Sequence, residues 1–314
     1  MNWPDRELGW LIIGALTALT SASLVGLMLR WRCGPTDTIQ NLNSRISAWW
    51  AMVLVFLGAI LAGPMVVVVL FAILSLLSLR EFLTLTPTRL GDHRVLFWAF
   101  FVVLPIQYIV LGIHWYAFFS IFIPVYVYLI LPIRSAAAGD VQNFLTRTAV
   151  IQWGLMICVY CLSHGPALLT MLEIPDYPTK DGKLLCYLVL ICESSDVLQY
   201  VCGKLFGRHP VAPKVSPSKT WEGLIGGVAL TVGLGTALWW VTPFSPLAAA
   251  GMSLTICLTG FGGGLVMSAI KRDRGVKDWG HAIAGHGGVL DRLDSFCFAA
   301  PFFFHFTRYF YSTI

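Results

Sequence analysis

Three segments in the last third of the chain combine carboxylates, basic residues and glycines within otherwise apolar sequence. They read "ESSD" at 193–196, "GKLFGRHPVAPKVSPSKTWEG" at 203–223 and "SAIKRDRGVKDWGHAIAGHGGVLDRLD" at 268–294. Carboxylate oxygens suit Mg²⁺, which takes few protein ligands and completes its shell with water and phosphates. Lys and Arg side chains neutralise phosphate charge. The combination of carboxylates with Lys and Arg side chains predicts a site that binds phosphates and a divalent cation.

The acidic residues of the first and third segments occur in pairs. Glu193 and Asp196 are three residues apart, as are Asp291 and Asp294, so each pair shares a helix face. Like charges in a poor dielectric repel or share a proton unless a cation lies between them. Pairing of each acid with a nearby Lys or Arg is the alternative for Glu193 and Asp196. Asp291 and Asp294 fit a magnesium site at the start of a helix, where carboxylates are stabilised.

The glycines and basic residues of the third segment complete this interpretation. The glycines of the "GHGG" stretch have no side chains, so their backbone N–H groups can approach an anion closely. The basic residues available to neutralise phosphates are Lys271, Arg272, Lys277 and Arg292.

The composition places this site in a membrane. The 314-residue chain is 57% hydrophobic with a mean hydropathy of +0.75, more apolar surface than a soluble domain can bury. Runs of about 20 apolar residues suit membrane-spanning helices. We predict helices near 9–29, 47–63, 64–79, 95–113, 114–133, 149–172, 183–203, 223–242, 246–270 and 295–313. The predicted fold is an all-α polytopic membrane protein with nine to ten such helices. Tight hairpins around Gly63-Pro64 and Ile113-His114 would reduce the count.

The basic residues predict the orientation of the chain. With the N-terminus outside, inside loops carry seventeen Lys and Arg residues and outside segments four, which together account for all 21. The three polar segments then form a polar cavity in the C-terminal half that faces the cytoplasm. The first helix reads as an anchor, because no basic region or cleavage pattern marks a signal peptide. Nucleic-acid binding is disfavoured because no soluble domain is left over.

The charged segments of the last third of the chain resemble a known protein family. The segment Ser268 to Asp294, read as S-x-I-K-R-x4-K-D-x-G-x2-I-x2-H-G-G-V-x-D-R-L-D, closely resembles the signature of phosphatidate cytidylyltransferases, the CDP-diacylglycerol synthases. "GKLFGRH" followed by "APKVSPSKTWEG" is similar to a second family block, and Asp196 matches the aspartate seven residues before it. The resemblance runs from about Arg45 to the C-terminus. We therefore divide the chain into an extra N-terminal helix and basic loop (1–44), a helical region (45–147) and a catalytic region (148–314).

The resemblance implies transfer of CMP from CTP to phosphatidate, giving CDP-diacylglycerol and pyrophosphate, at the bacterial inner membrane with the site facing the cytoplasm. It implies Mg²⁺, with a second cation and a homodimer left open. The expected metal ligands are Asp291, with Asp294, Asp196 and Glu193 as partners. The expected catalytic residues are Asp291, Lys271, Arg272, Lys277 and Asp278, the last binding metal or orienting the lysines. The expected substrate-binding residues are Ser216, Ser218, Lys219, His286, Gly287, Gly288 and Arg292. His286 is equally a turn-fixing residue.

One part of the family pattern is missing. The family has G-D-x-x-E-S before the signature, whereas this chain reads "GGLVMS", with Gly264 and Met267 in place of both acids and Ala284 as a milder change. We hypothesise that Glu193 supplies the lost charge.

The alternative to an active enzyme is a catalytically weakened paralogue that binds nucleotide or anionic lipid in a regulatory or delivery role. A transporter is disfavoured, since the polar residues cluster at one membrane face.

Overall fold

Among the residues that the structure describes, ten helices form a bundle in which successive helices alternate in direction. The computed structural model describes residues 6–34, 36–86, 88–280, 282 and 287–313. The helices are α1 Arg6–Cys33, α2 Asp37–Ala62, α3 Pro64–Thr84, α4 Leu90–Gly112, α5 Tyr116–Ala136, α6 Phe144–Thr170, α7 Lys183–Phe206, α8 Trp221–Ala237, α9 Pro246–Asp273 and α10 Leu290–Tyr311. Two short strands, β1 Pro210–Ala212 and β2 Ser216–Thr220, interrupt them. The predicted all-α membrane fold is confirmed.

Eight helices in the described part of the chain are long and apolar enough to cross a membrane. The other two are α8, which has 17 residues, and α10, whose first turns carry the charged residues of the signature. The closely spaced helices α2 and α3, and likewise α4 and α5, are each long enough to span a membrane and are not halves of re-entrant hairpins. Gly63 alone separates α2 from α3, at a φ of 112° that favours glycine. A short turn at Ile113–Trp115 separates α4 from α5.

Contacts between helix ends show which ends lie together. We define the site end as the end where α3 finishes and α10 begins, because the backbone N–H of Val289 donates to Glu81 there at 2.9 Å. At the opposite end, Lys183 at the start of α7 contacts Glu7 at the start of α1, at 2.6 Å. Arg308 near the end of α10 donates to the Met171 carbonyl at that same end. The loops that carry the seventeen basic residues therefore fall at the site end.

Three of the middle helices widen into π turns. Such turns often form where a proline removes a backbone donor and crowds the preceding carbonyl. The π turns are Ala99–Val103, Phe122–Val127 and Met156–Cys161, and Pro105, Pro124 and Pro166 lie in or close behind them.

Helices α7 and α8 pack with their backbones close together. A Cβ atom on Gly223 would lie 2.8 Å from the Gln199 carbonyl oxygen, and one on Gly227 would lie 2.5 Å from the Gln199 nitrogen. Only glycine permits this approach. The strands β1 and β2 form an antiparallel hairpin, which the sequence did not predict, just before α8. Glu222 holds the hairpin by accepting from the backbone N–H of Arg208 at 3.0 Å.

A buried ion-pair network joins the starts of α4 and α6 at the site end. Arg147 contacts Asp92 at 3.1 Å and Asp140 at 2.8 Å, and Arg89 reaches the same Asp140 at 3.2 Å. The side chains of Arg147 and Asp92 are only 7% and 2% exposed. The sequence predicted only an orienting role for the basic residues of these loops, whereas the structure uses Arg147 to hold the loops together.

We predict that Arg147→Leu destabilises the protein by about 3–5 kcal/mol, because it leaves the Asp92 carboxylate buried without its partner. Arg89→Ala is the matched control: its side chain is 45% exposed, so its loss should cost about 1 kcal/mol or less. Thermal unfolding in detergent measures both. Equal melting temperatures for Arg147→Leu and Arg89→Ala would contradict the structural role of the network.

Candidate functional site

A polar cavity of about 260 Å³ opens at the site end between β2, α7, α9 and α10. The structure brings six of the residues predicted from sequence into its lining. They are Asp196, Ser218, Lys219, Asp291, Arg292 and Asp294. The segments that carry them are far apart in sequence, and their convergence forms a charged cavity at the end of an apolar bundle.

The Asp291 carboxylate is fully engaged by the protein itself. Its Oδ1 accepts from Lys271 Nζ at 2.8 Å, and its Oδ2 accepts from the backbone N–H groups of Trp279 at 2.8 Å and Gly288 at 2.9 Å. The side chain is 5% exposed. In this conformation Asp291 fixes the loop between α9 and α10 and positions Lys271. Its expected role as the best metal ligand stays a prediction.

Glu81, at the end of α3, caps the start of α10 and was missed in the sequence. Its two carboxylate oxygens accept from the backbone N–H groups of Val289 and Leu290, each at 2.9 Å. A carboxylate at a helix N-terminus is favoured by unpaired N–H groups and by the helix dipole. Next to it, Phe82 stacks on Trp279 with ring centroids 5.2 Å apart.

These contacts give the signature glycines a different immediate partner from the phosphate that we expected. Gly287 has a φ of 86°, and a Cβ atom there would lie 2.7 Å from Asp291 Oδ2. A Cβ atom on Gly288 would overlap the Glu81 carboxylate. Both glycines make room for carboxylates of the protein. Substrate binding by Gly287 and Gly288 stays a prediction.

Asp196 and Asp294 are the carboxylates best placed to hold magnesium. Ser295 links them, because its Oγ donates to Asp196 Oδ2 at 2.9 Å and its backbone N–H donates to Asp294 Oδ1 at 2.8 Å. Among the described residues, the second oxygen of each carboxylate has no hydrogen-bond partner. Two hard oxygen ligands beside an open cavity fit Mg²⁺, which leaves positions for water and phosphate.

The four predicted metal ligands do not form one cluster. Within the described residues, no group of three or more Asp, Glu, His or Cys side chains is arranged to hold a metal ion. Glu193 lines a separate apolar groove and is absent from the lining of the polar cavity. The hypothesis that Glu193 replaces the missing acid stays a prediction.

Lys219 occupies the space beside Gly264, where the family pattern has an acid. A Cβ atom on Gly264 would lie 2.5 Å from Lys219 Nζ, which also lies 4.8 Å from the centre of the Phe261 ring. Burial lowers the pKa of Lys219, a shift opposed by the charges of Asp196 and Asp294 and reinforced by Lys271. Met267, the other departure from the pattern, is fully buried.

The remaining predicted residues lie around the cavity or outside the described residues. Arg272, Lys277 and Asp278 are exposed, and Arg272 donates to the Val276 carbonyl at 3.1 Å. No ion pair joins Asp278 to Lys271 or Lys277 among the described side chains, so an orienting role for Asp278 has no contact behind it. Ser216 begins β2 without lining the cavity. His286 lies outside the described residues.

A separate apolar groove of about 340 Å³ lies between helices of the bundle. Helices α2, α3, α7 and α10 form its walls, with Phe56, Phe71 and Phe296 among the apolar side chains. Arg292 lines both the groove and the polar cavity. The guanidinium-bearing side chain therefore stands where hydrocarbon-lined and charged spaces meet.

The fold and the cavity define a multi-pass membrane protein with a site suited to phosphates. The model of the cytidylyltransferase family matches residues 43–310, which is most of the chain. The chain therefore belongs to the cytidylyltransferase family and is a nucleotidyltransferase, which confirms the resemblance read from the signature.

Individual relatives extend this finding. The chain is 40% identical over 295 residues to the uncharacterized protein YnbB of Escherichia coli (strain K12), covering 93% of this chain and 95% of that protein. It is 37% identical over 168 residues to the phosphatidate cytidylyltransferase of Mycobacterium leprae (strain TN), covering 51% and 50% respectively. The corresponding enzyme of Staphylococcus aureus (strain COL) is 40% identical over 129 residues, covering 40% of this chain and 50% of the enzyme. The chain thus spans about half the length of these two enzymes.

We predict that Glu81→Ala loosens the start of α10, because Val289 and Leu290 lose the carboxylate that accepts from their backbone N–H groups. The loss of such a cap should cost about 1–2 kcal/mol. Hydrogen exchange should rise at residues 287–291 and stay unchanged at the opposite end of α10. Thr84→Ala, an exposed change one turn further along α3, is the control. Unaltered exchange at 287–291 in Glu81→Ala would show that the cap does not hold the loop.

Proposed function

We propose that this protein is a phosphatidate cytidylyltransferase that joins CMP from CTP to a lipid phosphate and releases pyrophosphate. One observation carries the proposal: Arg292 lines both a charged cavity containing Asp196, Asp294 and Lys219 and an apolar groove that opens along the bundle. A nucleotide triphosphate suits the first space and a lipid chain suits the second. The relatives named phosphatidate cytidylyltransferase support the same substrates.

The reaction joins two anions, so its main requirement is charge neutralisation and alignment. An oxygen of the lipid phosphate attacks the α-phosphorus of CTP, and the bond from that phosphorus to the β-phosphate bridging oxygen breaks. The acceptor oxygen is already ionised, so no strong general base is required. Lys219 and Arg292, both in the cavity lining, hold phosphate oxygens and stabilise the charge that develops on the leaving pyrophosphate. Lys271 adds positive charge beside them, oriented by Asp291.

Magnesium would be held by Asp196 and Asp294. The ion, when bound, shields the repulsion between the nucleotide and lipid phosphates. Ser295 fixes the two carboxylates through its hydroxyl and backbone N–H, so their free oxygens stay directed to the same region. Lys219 lies near both carboxylates and balances their charge.

The membrane arrangement that fits this reaction places the site end at the cytoplasm. Loops with seventeen basic residues lie at that end, and cytoplasmic loops carry such an excess. CTP would then reach the polar cavity from the cytoplasm of a bacterial inner membrane, while the lipid would reach Arg292 laterally through the groove.

The departures at Gly264 and Met267 favour one alternative, a binding paralogue with weak turnover. Neither position offers a carboxylate, and Lys219 fills the space beside Gly264. Such a protein would bind nucleotide or anionic lipid at the same cavity in a regulatory or delivery role.

We predict that purified protein with CTP, phosphatidate and Mg²⁺ forms CDP-lipid and pyrophosphate. Asp196→Asn and Asp294→Asn should each lower kcat by about a hundredfold or more, because each removes charge that stabilises bound Mg²⁺. Asp273→Asn, an exposed change at the end of α9, is the control and should leave the rate unchanged. Labelled CTP and product chromatography measure the rates. Tight CTP binding without product would identify the binding paralogue instead.

We predict an alkaline loss of activity set by Lys219. Its pKa is lowered, so the ammonium form present at lower pH is lost as pH rises through that lowered pKa, before an ordinary lysine would lose its proton. Lys219→Arg stays charged and should move the alkaline limb of the kcat/KM profile to higher pH. A limb at the same pH in Lys219→Arg would assign the titration to another group.

A further inference from the structure

The polar cavity contains one neutral side chain whose oxygen the proposed chemistry does not use. Gln199 of α7 lines this cavity together with Asp196, which precedes it by three residues. Its Nε2 donates to Ser195 Oγ at 2.6 Å. Among the described residues no donor engages its Oε1, and the packing does not seal this oxygen away from solvent. The amide therefore has one anchored atom and one oxygen that is free to accept.

The chemistry of the free oxygen limits what it can bind. An amide oxygen only accepts, and the amide carries no charge at any physiological pH. Ionised phosphate oxygens also accept, so they gain nothing from Gln199 Oε1. Lys219 and Arg292 line the same cavity, yet no hydrogen bond joins either of them to this oxygen in the described part of the chain. Carbonyl oxygens are ligands that suit Mg²⁺ and Mn²⁺.

The course of the side chain brings the amide back toward Asp196. Gln199 lies about 4.5 Å further along the axis of α7 than Asp196, and helical side chains lean toward the N-terminus of their helix. The bond to Ser195, four residues earlier, shows this backward course. Gly227 of α8 leaves room for the stem, because a Cβ atom there would lie 2.5 Å from Gln199 Cγ. The amide is thus held between α7 and α8, close to the level of Asp196.

Three oxygens of the cavity then share one arrangement. Ser295 anchors one oxygen of Asp196 and one of Asp294, and Ser195 anchors the amide nitrogen of Gln199. In each case the second atom of the group is an oxygen without a partner among the described residues. Such outer hydrogen bonds orient the ligands of metal sites. A third carboxylate would add repulsion, whereas the amide adds an oxygen without adding charge.

We propose that Gln199 Oε1 is a third protein ligand, beside Asp196 and Asp294, of the divalent cation in this cavity. The inference rests on the proposed function for the presence of the cation and refines its ligand set. Three protein oxygens leave positions in the coordination shell for water and phosphate.

The test measures Mn²⁺ binding to full-length protein in detergent, without nucleotide or lipid, from the electron paramagnetic resonance signal of free Mn²⁺. Asp196→Asn defines the site and should abolish binding there. Gln199→Met, similar in length but without the oxygen, should weaken binding by about tenfold or more. Gln199→Glu adds a charge at the same position and should tighten binding by about tenfold. Gln142→Met, an exposed change at the site end, is the control and should leave the affinity unchanged.

The opposite shifts separate a ligand from a packing role, because a residue needed only for packing would weaken Mn²⁺ binding in both variants. Unchanged affinity in Gln199→Met, weaker binding in Gln199→Glu, or no Asp196-dependent Mn²⁺ binding in wild-type protein each overturns the inference. A loss of CTP affinity alone in Gln199→Met also overturns it and assigns the amide to the nucleotide. If Gln199→Met does not fold, the direction of the shift in Gln199→Glu decides.

These measurements need no turnover, so the proposed function is decided separately. Formation of CDP-lipid by wild-type protein supports the cytidylyltransferase even where Mn²⁺ affinity does not depend on Gln199. Absence of product, together with the expected Mn²⁺ affinities, overturns the proposed reaction and leaves Gln199 as a ligand of the cation.

Discussion

The start of α10 is where the polar site and the apolar bundle are joined. The backbone N–H groups at and just before its first residue have no partner within the helix, and the protein satisfies them with carboxylates: Glu81 accepts from Val289 and Leu290, and Asp291 accepts from Gly288. Asp291 also takes the Lys271 ammonium, so the end of α9 is tied to the start of α10. Arg292 and Asp294 follow within one turn. Their positions in the cavity therefore depend on a cap supplied partly by a helix more than 200 residues earlier.

This dependence gives the N-terminal region a part in the site. Helix α3 contributes Glu81 and Phe82 to the α9–α10 loop, and α2 and α3 form one side of the apolar groove. The sequence motifs divide the chain into an N-terminal helical region and a catalytic region. The contacts of α2 and α3 with the site nevertheless connect these two regions. The charges of the cavity are likewise interdependent, because the space beside Gly264 lets Lys219 approach Asp196 and Asp294.

Local patterns in the sequence were sufficient for the helices and for most of the cavity. Long apolar runs specify membrane helices, and the alternation of their direction brings Asp196, Lys219, Arg292 and Asp294 to one end. Glu81 could not be found in this way, since "SLREFLT" resembles an ordinary charged helix end and its partners are distant in sequence. Glu193 shows a second limit. Residues three apart are offset by about 60° around a helix, enough to direct Glu193 and Asp196 into neighbouring spaces.

The shared position of Arg292 explains why such chemistry suits a membrane boundary. Withdrawing an acyl chain of roughly sixteen CH₂ groups into water would cost on the order of 10 kcal/mol, at about 0.8 kcal/mol for each group. An enzyme that required this step would lose most of its rate to it. In the proposed reaction, a groove that held the chain against Phe56, Phe71 and Phe296 would avoid this cost, while the phosphate would reach Arg292 at the edge of the charged cavity. The nucleotide would then stay in water and the acyl chain in an apolar environment while their phosphates meet.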